Sequence, residues 1–166
     1  MSQDNSSYIY SFQDEKNTAC WDVVDDGVMG GLSEGKLSIN KSGNGYFTGY
    51  VTTENNGGFS SIRLEVDKLD VTNFKSILLK VKGDGKTYQF RLKEKQSQKY
   101  SYIVSFETSN KWQTIKIPLN SFYPSFRGYN LELPNFSGDQ IEEVAILIGN
   151  KKKESFSLEI ESILLE

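Results

Sequence analysis

The chain has 166 residues, 37% hydrophobic and 13% aromatic, a formal net charge of −3 and no histidine. That length suits one domain over 1–166, able to bury about 70% of its unfolded surface without staples. The acidic balance argues against nucleic acid, whose phosphates need a concentrated basic face, and the missing histidine removes Ser-His-Asp and Cys-His nucleophiles and most zinc sites.

Taken from the N-terminus, MSQDNSSY is polar and acidic, neither a secretory apolar region nor an Arg-rich transit peptide. A cytoplasmic location is therefore expected. No apolar run approaches the ~20 residues of a spanning helix, so no direct membrane insertion is expected. A strand is predicted at Tyr8–Phe12. The single cysteine, Cys20, rules out an internal disulfide framework and multi-cysteine metal sites; beside Trp21 it reads as a small packed hydrophobe. Then comes WDVVDDGVMGGLSEG, two adjacent carboxylates running into a glycine-rich turn.

Period-two alternation dominates the rest of the chain. Strands are predicted at Lys36–Asn40, Tyr46–Thr53, Ile62–Val66, Ser76–Lys82, Lys86–Glu94, Tyr100–Glu107, Gln113–Ile117, Val144–Gly149 and Phe156–Glu161. In Lys86–Glu94, for example, Tyr88, Phe90 and Leu92 alternate with Gln89, Arg91 and Lys93. Asn44-Gly45, Asn56-Gly57-Gly58 and Asp84-Gly85 separate the strands with residues that tolerate positive φ. Ser137–Val144 reads as a short helical turn with Ser137 as N-cap, and Gly149-Asn150 with Lys151–Lys153 as a charged hairpin tip. Many short one-sided strands and little helix define an all-β fold, an antiparallel β-sandwich or jelly roll.

The acidic glycine stretch fails the familiar site templates. Gly27, Gly30 and Gly31 lack phosphate-loop spacing, and the adjacent aspartates would repel a phosphate. A calcium loop starting at Asp22 would put Val24 at its third position and Ser33 at its twelfth, where oxygen ligands and a bidentate glutamate are required. Asp25 and Asp26 are sequence neighbours, so they do not face each other across a sugar as a glycosidase pair must. No metal site, no cofactor and no catalysis are expected.

Three phrases read in order are recognisable: Trp21…Asp25-Asp26-Gly27-Val28-Met29-Gly30-Gly31-Leu32-Ser33, Asn56-Gly57-Gly58-Phe59-Ser60-Ser61-Ile62-Arg63, and Lys82-Gly83-Asp84-Gly85-Lys86-Thr87-Tyr88. Together with Trp112, Ile117-Pro118-Leu119 and the closing Phe156-Ser157-Leu158-Glu159-Ile160, the chain resembles the complex I intermediate-associated protein 30 family from about Trp21 to Ile163. The resemblance implies a galactose-binding-like sandwich and a chaperone-like role in assembling respiratory complex I. Without a transit peptide, a bacterial member is expected.

Asp25 and Asp26 are read in two ways. Beside the tight turns of Gly27, Gly30 and Gly31 they accept hydrogen bonds from nearby backbone N–H groups, or one of them holds the guanidinium of Arg63, which lies on the strand face opposite Ile62 and Leu64, as a recognition surface or as a clip. The candidate rim is Asp25, Asp26, Met29, Asn56, Arg63 and Asp84, with Met29 a flexible plug for the end of the sandwich. The second candidate is an aromatic loop of Phe122, Tyr123, Phe126 and Arg127, suited to protein contact or to capping the sandwich. Trp112 is read as core. The expected partner is a client protein or assembly intermediate. The alternative is a carbohydrate stacked on Tyr46 and Tyr50 and bonded by Asp84 and Arg63.

Overall fold

The computed structural model of the protein describes residues 7–166, apart from the side chains of Val28, Met29 and Asn56. In chain order its strands are β1 (Ser7–Ser11), β2 (Trp21–Asp25), β3 (Glu34–Ile39), β4 (Gly45–Val51), β5 (Ser60–Asp70), β6 (Ser76–Lys82) and β7 (Thr87–Lys93). The later strands are β8 (Ser101–Glu107), β9 (Trp112–Pro118), β10 (Tyr123–Phe126), β11 (Tyr129–Asn130), β12 (Gln140–Ile148) and β13 (Glu154–Leu165). Helix is confined, among the described residues, to one α-turn, α1 (Phe12–Glu15), and 3-10 turns at Asp26–Met29, Glu54–Asn56 and Leu119–Ser121.

Two antiparallel sheets form a sandwich. One has six strands in the order β3-β4-β13-β6-β9, with β1 pairing the C-terminal half of β13; the other has seven, β11-β10-β8-β7-β12-β5-β2. The chain passes repeatedly between them, as a jelly roll does. Alternation explains why the sheets close on each other. Tyr88, Phe90 and Leu92 of β7 lie level with Phe106, Val104 and Tyr102 of β8, and Phe90 and Leu92 with Ile146 and Val144 of β12. These inward residues meet Phe47, Phe156, Leu158 and Ile160 of the other sheet in one buried core. Aromatic edges join the layers, with Tyr88 6.4 Å from Phe156 and Phe47 4.7 Å from Phe156. Each such ring buried contributes roughly 1.5–3 kcal/mol.

Several expectations are corrected. Ser137–Val144 is not a helical turn: β12 begins at Gln140, and a bulge between Ile141 and Glu143 offsets its register. Across that shift, where three residues of β5 stand against one of β12, Ile141 and Val144 are three apart and both fully buried, which imitates helical spacing. Gly149-Asn150 is not a hairpin tip but the crossing from β12 in one sheet to β13 in the other; Lys151–Lys153 are exposed. Trp112 is not core. It opens the edge strand β9 opposite the exposed Lys82 and is 42% exposed itself. Cys20 is exposed as well, on the turn that a Trp21 N–H to Thr18 carbonyl bond closes.

Candidate functional site

The acidic glycine stretch is the joint between the sheets. β2 lies at the edge of the seven-stranded sheet and β3 at the edge of the six-stranded one, and the two aspartates span them. Asp25 accepts from the Gly35 N–H (3.0 Å) of β3 and from the Ser60 hydroxyl (2.5 Å) of β5. Asp26 is fully buried and accepts from the Ser33 N–H (2.9 Å) and hydroxyl (2.5 Å), the Gly58 N–H (2.6 Å) and the Phe59 N–H (3.3 Å). Burial alone would raise its carboxyl, but the Ser33 hydroxyl and the Gly58, Ser33 and Phe59 N–H groups outweigh it and hold the pKa below the ordinary carboxylate value. The glycines are needed because a Cβ on Gly31 or Gly57 would fall on that carboxylate.

The aspartates therefore do not hold Arg63. Their partners are serines and backbone N–H groups. The backbones of Met29 and Asn56 end the two neighbouring 3-10 turns; their candidate side chains lie outside the described residues. Asp84 is a second joint, accepting from the Tyr88 hydroxyl (3.0 Å) of β7 and the Ser157 N–H (2.8 Å) of β13. Burial first, then the adjacent Asp84 carboxylate, push the Tyr88 phenol far above its ordinary value, so it stays a protonated donor.

Arg63 stands elsewhere, on the outer face of the seven-stranded sheet, one strand in from its β2 edge. Ladder pairing sets one row across six strands: Asp22, Arg63, Ala145, Arg91, Ile103 and Tyr123. The next row holds Val24, Ser61, Leu147, Gln89 and Ser105. Ala145, Ile103 and Leu147 face outward yet are only 3–5% exposed, because longer side chains rise around them. Arg91 receives Gln89 as a fork: its Nε and Nη2 donate to Gln89 Oε1 at 2.9 and 2.7 Å. Burial, then the nearby Arg63 charge, pull the Arg91 pKa down to about 10, which still leaves it cationic at neutral pH. Among the described residues no carboxylate lies within ion-pair distance of either guanidinium. Sequence reasoning found Arg63 but left Arg91 in a plain alternation; only the register of β5, β12 and β7 brings the two together.

The remaining candidates separate. Phe122 is fully buried against Phe90 (6.1 Å between ring centres), so it caps the core. Tyr123 and Phe126 are partly exposed on β10, and Arg127 lies 5.2 Å over the Phe126 ring. Tyr46 and Tyr50 stand on β4 of the six-stranded sheet, the side away from Arg63, and Asp84 is committed between the sheets. The four residues offered for sugar binding do not form one site. A groove of about 530 Å³ does open beside the glycine turns, lined by Leu32, Tyr50, Thr52, Glu54, Lys153 and Glu154.

The fold is an all-β, two-sheet antiparallel sandwich of the shape shared by carbohydrate-binding modules. It superimposes on the family 11 carbohydrate-binding module from Clostridium thermocellum with a TM-score of 0.70 at 20% identity, covering 99% of this chain and 96% of that one. The chain belongs to the Complex I intermediate-associated protein 30 (CIA30) family, whose model matches residues 10–160. It is 22% identical over 178 residues to mouse mitochondrial Complex I intermediate-associated protein 30, covering 93% of this chain and 54% of that protein. The Drosophila melanogaster protein of that name is 28% identical over 130 residues, 65% of this chain and 44% of that one. The chain thus spans about half the length of the curated relatives it matches. Among the described residues no helix is long and apolar enough to cross a membrane.

Proposed function

We propose that this protein is a non-catalytic binding module that holds a client protein, an assembly intermediate of the kind its relatives are named for, on the outer face of the seven-stranded sheet. The observation that carries the reading is the row Arg63–Ala145–Arg91. Two guanidiniums with no carboxylate at ion-pair distance among the described residues stand beside a buried apolar floor. They sit on internal strands of the sheet, which hold side chains in tighter geometry than loops do. A face like this offers desolvated area for contact and fixed charge for selection. The glycine-turn joint supports it by fixing the sheet edges and is not itself the contact.

The test is affinity capture from detergent-solubilised native lysate with three baits, the wild type, Ser105→Trp and Lys80→Ala. Ser105 is exposed on the same face without being one of the arginines, and Lys80 lies on the opposite sheet. Complex I subunits or assembly factors held by the wild type and Lys80→Ala, and lost with Ser105→Trp, support the reading. Equal retention by all three overturns it.

A second reading places a carbohydrate on this same face, favoured by the planar polar side chains of Arg63, Gln89, Arg91 and Tyr123 on a fold shared with carbohydrate-binding modules. A glycan occupying it at a hundredfold excess over Kd would stabilise the protein by about 2.7 kcal/mol. A broad glycan panel that leaves the melting temperature unmoved removes this alternative.

A further inference from the structure

We infer that Arg63 and Arg91 form a receptor for a single carboxylate, presented by an acidic side chain or chain terminus of the protein partner and seated between them above Ala145. The inference rests on the reading of the seven-stranded face as the client-binding surface. Strands β5, β12 and β7 are adjacent, so the two arginine Cα atoms are about 10 Å apart. A guanidinium reaches about 6 Å or more from its own Cα, which lets two of them converge on one anion from opposite sides. Between them stands alanine, which adds no bulk of its own at guanidinium height and is 3% exposed beneath the longer side chains around it.

Arg91 is also pre-oriented. Gln89 Oε1 takes its Nε and one Nη2 proton, which fixes the plane of the fork and leaves the remaining Nη protons to point at a ligand. Gln89 is neutral, so the pair keeps its full charge. Ion pairing elsewhere on the protein shows the contrast: Lys93 of the same strand has Glu143 at 3.9 Å, whereas among the described residues neither arginine is ion-paired, although Asp22 is the cross-strand neighbour of Arg63.

The surroundings decide which anion. Asp22 flanks Arg63 along its row, and Glu65 and Glu143 lie along the neighbouring row. These acids repel a dianion or an extended polyanion more than a lone monoanion, which favours a carboxylate over a phosphate and over nucleic acid.

The experiment is NMR titration of the full chain, following the Arg Nε–H resonances with N-acetylglutamate α-amide, inorganic phosphate, sulfate and the neutral glutamine analogue. Saturable shifts of both arginines with the glutamate compound, at least about tenfold weaker in Arg63→Ala, are expected. Ala145→Leu, which fills the gap and leaves both charges, is expected to abolish saturation. Shifts that do not saturate, or equal response to the glutamine analogue, overturn the receptor; tighter saturation by phosphate or sulfate overturns the carboxylate assignment. Capture of a client that survives Arg63→Ala unchanged, but not Ser105→Trp, keeps the face as contact surface and removes the carboxylate from it.

Discussion

The Gly58 N–H and the Asp26 carboxylate, 32 residues apart in the chain, meet at 2.6 Å. That bond and the one to Phe59 pin the second glycine turn to the first, and the same carboxylate holds Ser33 at the start of β3. Removing it strands three N–H groups at once, one buried and two part-buried, together with the buried Ser33 hydroxyl. Asp26→Ala is expected to cost about 3 kcal/mol or more, since each unsatisfied buried donor costs about 1–3 kcal/mol. Asp26→Asn keeps one acceptor oxygen and is expected to lose less. Urea unfolding midpoints of the two variants against the wild type measure the difference.

Asp26 also makes stability depend on pH. Its pKa is held below the unfolded value by hydrogen bonds. The stabilisation is therefore fully present above the unfolded carboxylate pKa of about 3.9 and is lost as pH falls through the lower folded value. The wild type is expected to lose stability below about pH 4 more steeply than Asp26→Asn, which has no proton to take up at that position. Urea midpoints of both proteins at pH 7, 4 and 3 supply the comparison; parallel curves would contradict it.

The glycines of the stretch are not equivalent. At Gly31 and Gly57 an added Cβ collides with the Asp26 carboxylate, while at Gly27 nothing lies within 4 Å and φ is not positive. Gly31→Ala and Gly57→Ala are expected to destabilise by about 2 kcal/mol or more, as overpacking does. Gly27→Ala is expected to be neutral or to stabilise by up to about 1 kcal/mol through the unfolded chain. Thermal melts of the three single variants suffice.

Asp84 and Tyr88 close the opposite joint. Tyr88→Phe removes the hydroxyl that donates to Asp84 but leaves the Ser157 N–H bond and the ring's packing against Phe156. A loss of about 1–2 kcal/mol is expected. Asp84→Ala strands both the phenol and the Ser157 N–H and is expected to cost more. Chemical denaturation distinguishes the two.

Alternation carried the sheets because one buried face per strand leaves a period of two in the sequence, and Ser76–Lys82 is placed to the residue. It failed where that condition failed. In β2 the inward-facing Val23 is 40% exposed at the sheet edge, so Trp-Asp-Val-Val-Asp shows no clean period. β10 contains a proline and β11 has two residues. That Asp26 accepts from backbone N–H groups was legible from its place beside the glycine turn. That two of the donors, Gly58 and Phe59, lie 32 and 33 residues further on was not, because no residue type announces a backbone donor. Arg91 was hidden because its meaning lies in register: Arg63, 28 residues away, joins its row only through Ala145 of the strand between them.

The β10–β11 hairpin offers the last test. Arg127-Gly128 is its two-residue turn, with φ of 50° and 84°, as a turn matching strand twist requires. Three aromatics of this segment look alike in sequence and differ in burial: Phe122 is fully buried, Phe126 38% exposed and Tyr129 76% exposed. Phe122→Ala is expected to cost about 3–5 kcal/mol by emptying a core position, whereas Tyr129→Ala is expected to stay within about 0.5 kcal/mol. Arg127→Ala removes the contact over Phe126, about 0.5–1 kcal/mol, and strains the positive φ in either residue alike. If client capture drops with Tyr129→Ala while the melting temperature holds, the contact surface extends from the Arg63–Arg91 row past Tyr123 to the hairpin; unchanged capture confines it to the central strands.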